Sequence, residues 1–115
     1  MFSCDAPSLE EQISDLWYRG NMDFTEELMF NIDGTGYIRK YEKGVWSPKQ
    51  NIRWKIKSAK YGNIDREYKY VSLTNINGDS INHLILNLNN HDLLSNLIDT
   101  DDDENLGSYE RKNNP

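Results

Sequence analysis

The one thiol and the two imidazoles in this sequence, the groups best suited to nucleophilic catalysis or soft-metal ligation, are Cys4, His83 and His91. Cys4 has no histidine close to it, so no local pair of thiol and imidazole forms. The two histidines lack the HxH or HExxH spacing that sets a pair of ligands on one face. A hydrolytic triad is a matter of spatial geometry, and nothing in the spacing announces one. One cysteine rules out a disulfide within the chain and a thiolate cluster, and it suits a reducing compartment. The expectation is a protein that is not an enzyme and carries no catalytic residues, no metal and no cofactor.

The densest chemistry lies at residues 99–110, Asp-Thr-Asp-Asp-Asp-Glu-Asn-Leu-Gly-Ser-Tyr-Glu. Asp99, Asp101, Asp103, Asn105 and Glu110 fall at the first, third, fifth, seventh and twelfth positions of a calcium loop, with Leu106 at the apolar eighth. The stretch thus resembles an EF-hand loop. Its sixth position, where the turn needs glycine, is Glu104, and the chain after Glu110 holds no exit helix. It therefore reads as a solvated acidic segment. Asp99, Asp101, Asp102, Asp103 and Glu104 would face a basic protein partner, and Tyr109 is a candidate apolar anchor beside them.

The aromatic residues Trp17, Phe30, Trp54, Tyr68 and Tyr70 have two readings. They line a ligand cavity inside a barrel, or they are its packed core, which is the ordinary state of a small barrel. Trp46 differs, because it sits in a loop between Val45 and Ser47-Pro48. There it is either an exposed binding anchor or a cap on the barrel mouth. The cations at positions 39, 40, 43, 49, 53, 55, 57 and 60 make the middle of the chain basic. A formal net charge of −6 argues against a nucleic-acid partner, which needs its phosphates neutralised. Alternation along one strand accounts for Arg53, Lys55 and Lys57 as a solvated sheet face.

These residues must be positioned by a small scaffold. The 115 residues suit one domain, and a hydrophobic fraction of 37 % is enough for a core. No apolar run reaches the roughly 18 residues of a membrane span, so no membrane partner is expected. The start of the chain lacks a basic stretch followed by an apolar one, and a cytoplasmic location is expected.

Residues 1–7 read as a loose lead. Ser8 is a helix N-cap with Glu11 as its capping-box partner, and Leu9, Ile13 and Leu16 follow at helical spacing, so a short helix is expected over 9–16. From Trp17 the period becomes two. Strands are expected over 26–33, with Leu28, Phe30 and Ile32 on one face, and then over 37–43, 51–58, 67–76 and 80–88. Asp33-Gly34-Thr35-Gly36 forms one turn, residues 44–48 are a loop, and Asn77-Gly78 is expected as a type I′ turn. Leu93, Leu94, Leu97 and Ile98 fit the stripe of a second helix over 91–98, and an acidic, mobile tail is expected over 99–115. The predicted fold is mainly β, an antiparallel meander of about five to seven strands curved into a small barrel or half-barrel, with a short N-terminal and a short C-terminal helix. A flat sheet covered by two helices is the alternative.

Asp15-Leu16-Trp17-Tyr18, the run from Glu27 to Gly36 and Ile52-Arg53-Trp54-Lys55-Ile56 together resemble small bacterial lipocalin-like domains. These open with a Trp near the first strand, carry an F-x-x-D-G-T-G hairpin and place W-x-I on a later strand. The resemblance implies a calycin-type barrel and, as one possible partner, a small apolar ligand inside it. In size, acidity and lack of catalytic groups the chain is also similar to bacterial immunity proteins, which implies a basic toxin domain, often a nuclease, as partner. Calcium at about 1 mM, enough to fill weak EF-hand sites, is expected to leave the melting temperature unchanged. A rise that Asp101→Asn abolishes would instead establish a metal site.

Overall fold

The computed structural model describes residues 8–60, 67–88, 94–99 and 107–111. Helix α1 spans Leu9–Ile13, and its cap is Ser8, whose Oγ accepts from the Glu11 N–H at 3.2 Å. It is shorter than the spacing predicts. The Ser14 hydroxyl and N–H both donate to the Glu10 carbonyl and end the helix. Leu16 is thereby released to pair with Met29.

Among the described residues nine strands follow: β1 (Leu16–Gly20), β2 (Phe24–Phe30), β3 (Thr35–Glu42), β4 (Val45–Trp46), β5 (Gln50–Lys60), β6 (Glu67–Asn75), β7 (Ser80–Leu88), β8 (Leu94–Asp99) and β9 (Glu110–Arg111). They form one sheet in the order β8-β7-β6-β5-β3-β2-β1-β9, with β4 folded back on β3. Every pairing is antiparallel, as short connections demand. A bridge between Leu97 and Tyr109, with N···O distances of 3.1 and 2.8 Å, joins β8 to the start of β9. The sheet is thus a nearly closed barrel, with more strands than the sequence suggests.

The second helix, expected over 91–98, is not formed in its described part, which is strand from Leu94 on; residues 91–93 lie outside the described residues. Leu94 and Leu97 are three residues apart and both face the core, which is a helical spacing. In the structure the register slips between Asn87 and Leu88, so that Leu88 faces Leu94 while Asn87 faces Asn96. A bulge absorbs the extra residue and turns both leucines inward on a strand. That strand covers the edge that β7 would otherwise leave open.

Turn chemistry also departs from expectation. The Asn77-Gly78 turn has only Gly78 at positive φ (92°). Asn75 pairs with Asp79 around three residues, the loop of a type I turn followed by a left-handed glycine. The β2–β3 turn repeats this around Gly34, which places Ile32 in the turn, exposed rather than on the core face. The type I′ turn is at Lys43-Gly44, with φ of 54° and 80°. It creates β4 in a segment that reads as loop.

The barrel interior is filled by side chains. Ile13, Trp17, Leu28, Phe30, Ile52, Trp54, Val71, Leu73, Leu84 and Leu97 are all buried, and α1 covers the end from which β1 starts. Along β5 the expected alternation holds: Ile52 and Trp54 are buried, Ile56 is half-buried, and Arg53, Lys55 and Lys57 are exposed. Both core indoles satisfy their N–H. Trp17 donates to the Ile13 carbonyl at 2.9 Å and thereby ties α1 to β1. Trp54 donates to the carbonyls of Asn31 (2.9 Å) and Thr35 (3.1 Å) and packs on Phe30 with ring centroids 5.2 Å apart. Gly36 permits the close approach of β2 and β3, because a Cβ there would run into the Met29 carbonyl oxygen. Trp54→Ala leaves a cavity and takes one of two donors from each of the Asn31 and Thr35 carbonyls. It is expected to cost roughly 3–5 kcal/mol, read as a lower urea midpoint at an unchanged slope.

Candidate functional site

The outer face of β1, β2 and β3 is built around one buried charge. Glu27 alternates with Leu28 and so points away from the barrel interior, yet it is only 3 % exposed. Its Oε1 accepts from Arg39 Nε at 2.6 Å and from the Tyr37 hydroxyl at 2.7 Å. Register explains the meeting, since Glu27 pairs with Arg39 and Tyr18 directly. Burial alone would raise the Glu27 pKa. The hydrogen bonds from Arg39 and Tyr37 outweigh it and hold the carboxyl below its ordinary value. Burial, and then the bond to Glu27, raise the Tyr37 phenol.

Fixed in this way, Arg39 becomes a platform. Its guanidinium lies 3.9 Å from the centroid of the Trp46 ring. Trp46 also packs on Tyr41, with centroids 5.0 Å apart. The Lys43-Gly44 turn sets this geometry by bringing Trp46 opposite Tyr41. Lys49 lies 4.4 Å over the ring of Tyr37. The result is a surface of Trp, Tyr and Arg side chains held by hydrogen bonds and stacking, with Trp46 at 38 %, Tyr41 at 40 % and Val45 at 67 % exposure. Residues of these three types dominate the energetics of protein interfaces.

Of the sequence-predicted site residues, Trp46 is therefore exposed and part of an organised patch. Asp99 and Tyr109 are elsewhere. The Asp99 side chain is 2 % exposed and bonds Arg19 at 2.7 Å. Asn82 also donates to it, at 3.1 Å. Tyr109 is 1 % exposed, under the Arg19 guanidinium, which stands 4.4 Å from its ring centroid. Arg19 also bonds Glu26 at 2.7 Å. These groups form a polar cluster inside the barrel, at the end away from α1. Desolvation opposes the charge on Arg19, and the two carboxylates outweigh it, so its pKa is raised. Burial pushes the Tyr109 phenol far up. An exposed role for Asp99 and Tyr109 is thus corrected: both are interior groups. Tyr109, Glu110 and Arg111, expected within a mobile tail, pair with the sheet.

Asp101, Asp102, Asp103, Glu104, His91 and Cys4 lie outside the described residues. His83 faces outward from β7 and stacks on Tyr70, with centroids 4.9 Å apart. Among the described residues no group of three or more His, Cys, Asp or Glu is placed to hold a metal ion. No helix among them is long and apolar enough to cross a membrane. Sequence reasoning missed Arg19, Glu26, Glu27 and Arg39. Parity offered a signal for two of them, since Arg19 shares a face with Trp17, and Glu26 with Leu28 and Phe30.

A lowered native pKa means that Glu27 stabilises the fold above the unfolded value of about 4.5. That stability is lost as the pH falls through the lower native value. Arg39 and Tyr37, both raised, do not titrate there. Glu27→Gln is expected to have a lower urea midpoint than the parent at pH 7, with the gap closing as both are acidified below the ordinary glutamate range. A gap independent of pH would assign the loss to shape rather than charge.

Comparison of the chain with models of protein families, with curated proteins and with solved structures finds no match.

Proposed function

We propose that this protein is a non-catalytic binding protein of the immunity type, which docks on a toxin domain and covers its active site. The observation that carries the reading is the Trp46 patch. An exposed Trp is stacked on an Arg, and that Arg is itself locked by a buried Glu, so the contact surface is ordered before binding. Such preorganisation lowers the entropic cost of association. Trp46 is the anchor, Tyr41 and Tyr37 widen it, and Arg39 fixes its orientation. The carboxylates at positions 101–104 supply the attraction for a basic partner, which speeds encounter. The filled interior favours recognition on the outside of the barrel over an apolar ligand within it.

The test uses a toxin domain encoded beside this gene. The parent protein is expected to bind it and to protect cells that express it. Trp46→Ala, at an exposed position, is expected to keep the melting temperature and to weaken binding by about 30-fold, the effect of a 2 kcal/mol hot spot. Failure of the parent protein to bind or protect would sink the immunity reading. Unchanged affinity of Trp46→Ala would move the interface off this patch.

A further inference from the structure

Strand β5 is longer than its neighbour β3. The two pair only from Gln50 to Arg53, and the β2–β3 turn then ends β3. The last bond across this seam runs from the Trp54 N–H to the Gly34 carbonyl, at 3.0 Å. On its other side β5 continues against β6 in regular register as far as Lys60. In an antiparallel sheet, N–H and C=O groups point to alternate sides along a strand. Since Trp54 points to the β3 side, Ile56 and Ser58 do too. Among the described residues their backbone groups have no partner there. Beside this edge lies a cleft of about 480 Å3, lined by Asp33, Gly34, Arg53, Lys55, Lys57 and Ser72.

We propose that this edge of β5 is a strand-addition site for an extended peptide that alternates acidic with apolar residues. Adding a strand satisfies the Ile56 and Ser58 groups with main-chain bonds, and the flanking side chains set the specificity. On the outer face the added strand lies next to Lys55 and Lys57, which are exposed and make no ion pair among the described residues. Acidic side chains pair with them. On the inner face it lies next to Ile56, half-buried at the margin of the core, which takes apolar side chains. Lysine on an open edge is also the usual guard against aggregation. The two roles agree. A second copy of β5 would set lysine against lysine, which is unfavourable, whereas an acidic strand gains from the same contacts. The site lies on the far half of β5, beyond the residues that pair with β3, whereas Trp46 pairs with the opposite end of β3; it does not depend on the immunity reading.

The probe is a fluorescein-labelled peptide of about eight residues alternating Glu with Val, a common strand length. Anisotropy is expected to rise on addition of the protein, and the Ile56 and Ser58 amides are expected to gain protection from hydrogen exchange. Ser58→Pro removes a donor that faces the open edge, where proline is tolerated, and is expected to abolish binding without loss of fold. Lys55→Glu combined with Lys57→Glu is expected to lose about tenfold in affinity for the Glu–Val peptide and to prefer a Lys–Val one. Four results would each overturn the proposal. They are no binding by the parent protein, binding that leaves both amides unprotected, equal binding of a proline-interrupted acidic peptide, and full protection of both amides in the free protein.

Discussion

Closure of the sheet is the constraint on which the rest depends. A single antiparallel sheet with one apolar face must curl until that face is hidden, and the last gap is the hardest to shut. Here it is shut by little backbone: one bridge at Leu97–Tyr109 and a two-residue strand against β1. Side chains complete the join. Arg19 on β1 bonds Asp99 on β8 and Glu26 on β2, and it stacks over Tyr109. Removing Arg19 would take from Asp99 and Glu26 the guanidinium that both of them bond, a far larger penalty than the net worth of either pair.

Where local pattern and long-range packing agree, the fold was legible. On β5, Ile52 and Trp54 alternate with Arg53, Lys55 and Lys57, and only one register hides the Trp. The capped helix at Ser8 and the glycine turn at Gly34 were legible for the same reason, since their causes lie within a few residues. The strand at Leu94–Asp99 was not. Its leucines have helical spacing, and only the bulge opposite β7 reconciles that spacing with an extended chain. The interior cluster was hidden because Asp99 and Arg19 are far apart in sequence, so nothing local marks an aspartate that leaves water for a guanidinium. The same holds at Trp46, where a Lys-Gly pair folds a short strand back on β3 and a distant Glu27 fixes the Arg beneath the indole.

The outside of the barrel is divided between two kinds of surface. Around β3 and β4 the groups are rigid and satisfied, and what is offered is ring area. Along the open edge of β5 the Ile56 and Ser58 backbone groups have no partner among the described residues, and what is offered is backbone. The first recognises shape and the second recognises conformation. A barrel with a packed interior can present both, because neither requires the core to move.

The pairing of Trp17 with Arg111 and of Tyr18 with Glu110 has a consequence for biosynthesis. Nascent strands β1 and β2 can meet early, since their partners are local, but the seam at β1 stays open until residues 109–111 have emerged from the ribosome. Until then the edge of β1 is exposed. Contacts this distant in sequence slow folding, because the intervening chain must be ordered before they form. The partly made chain is thus an unpaired sheet with a free edge at each side, the state most open to mispairing and to capture by a chaperone.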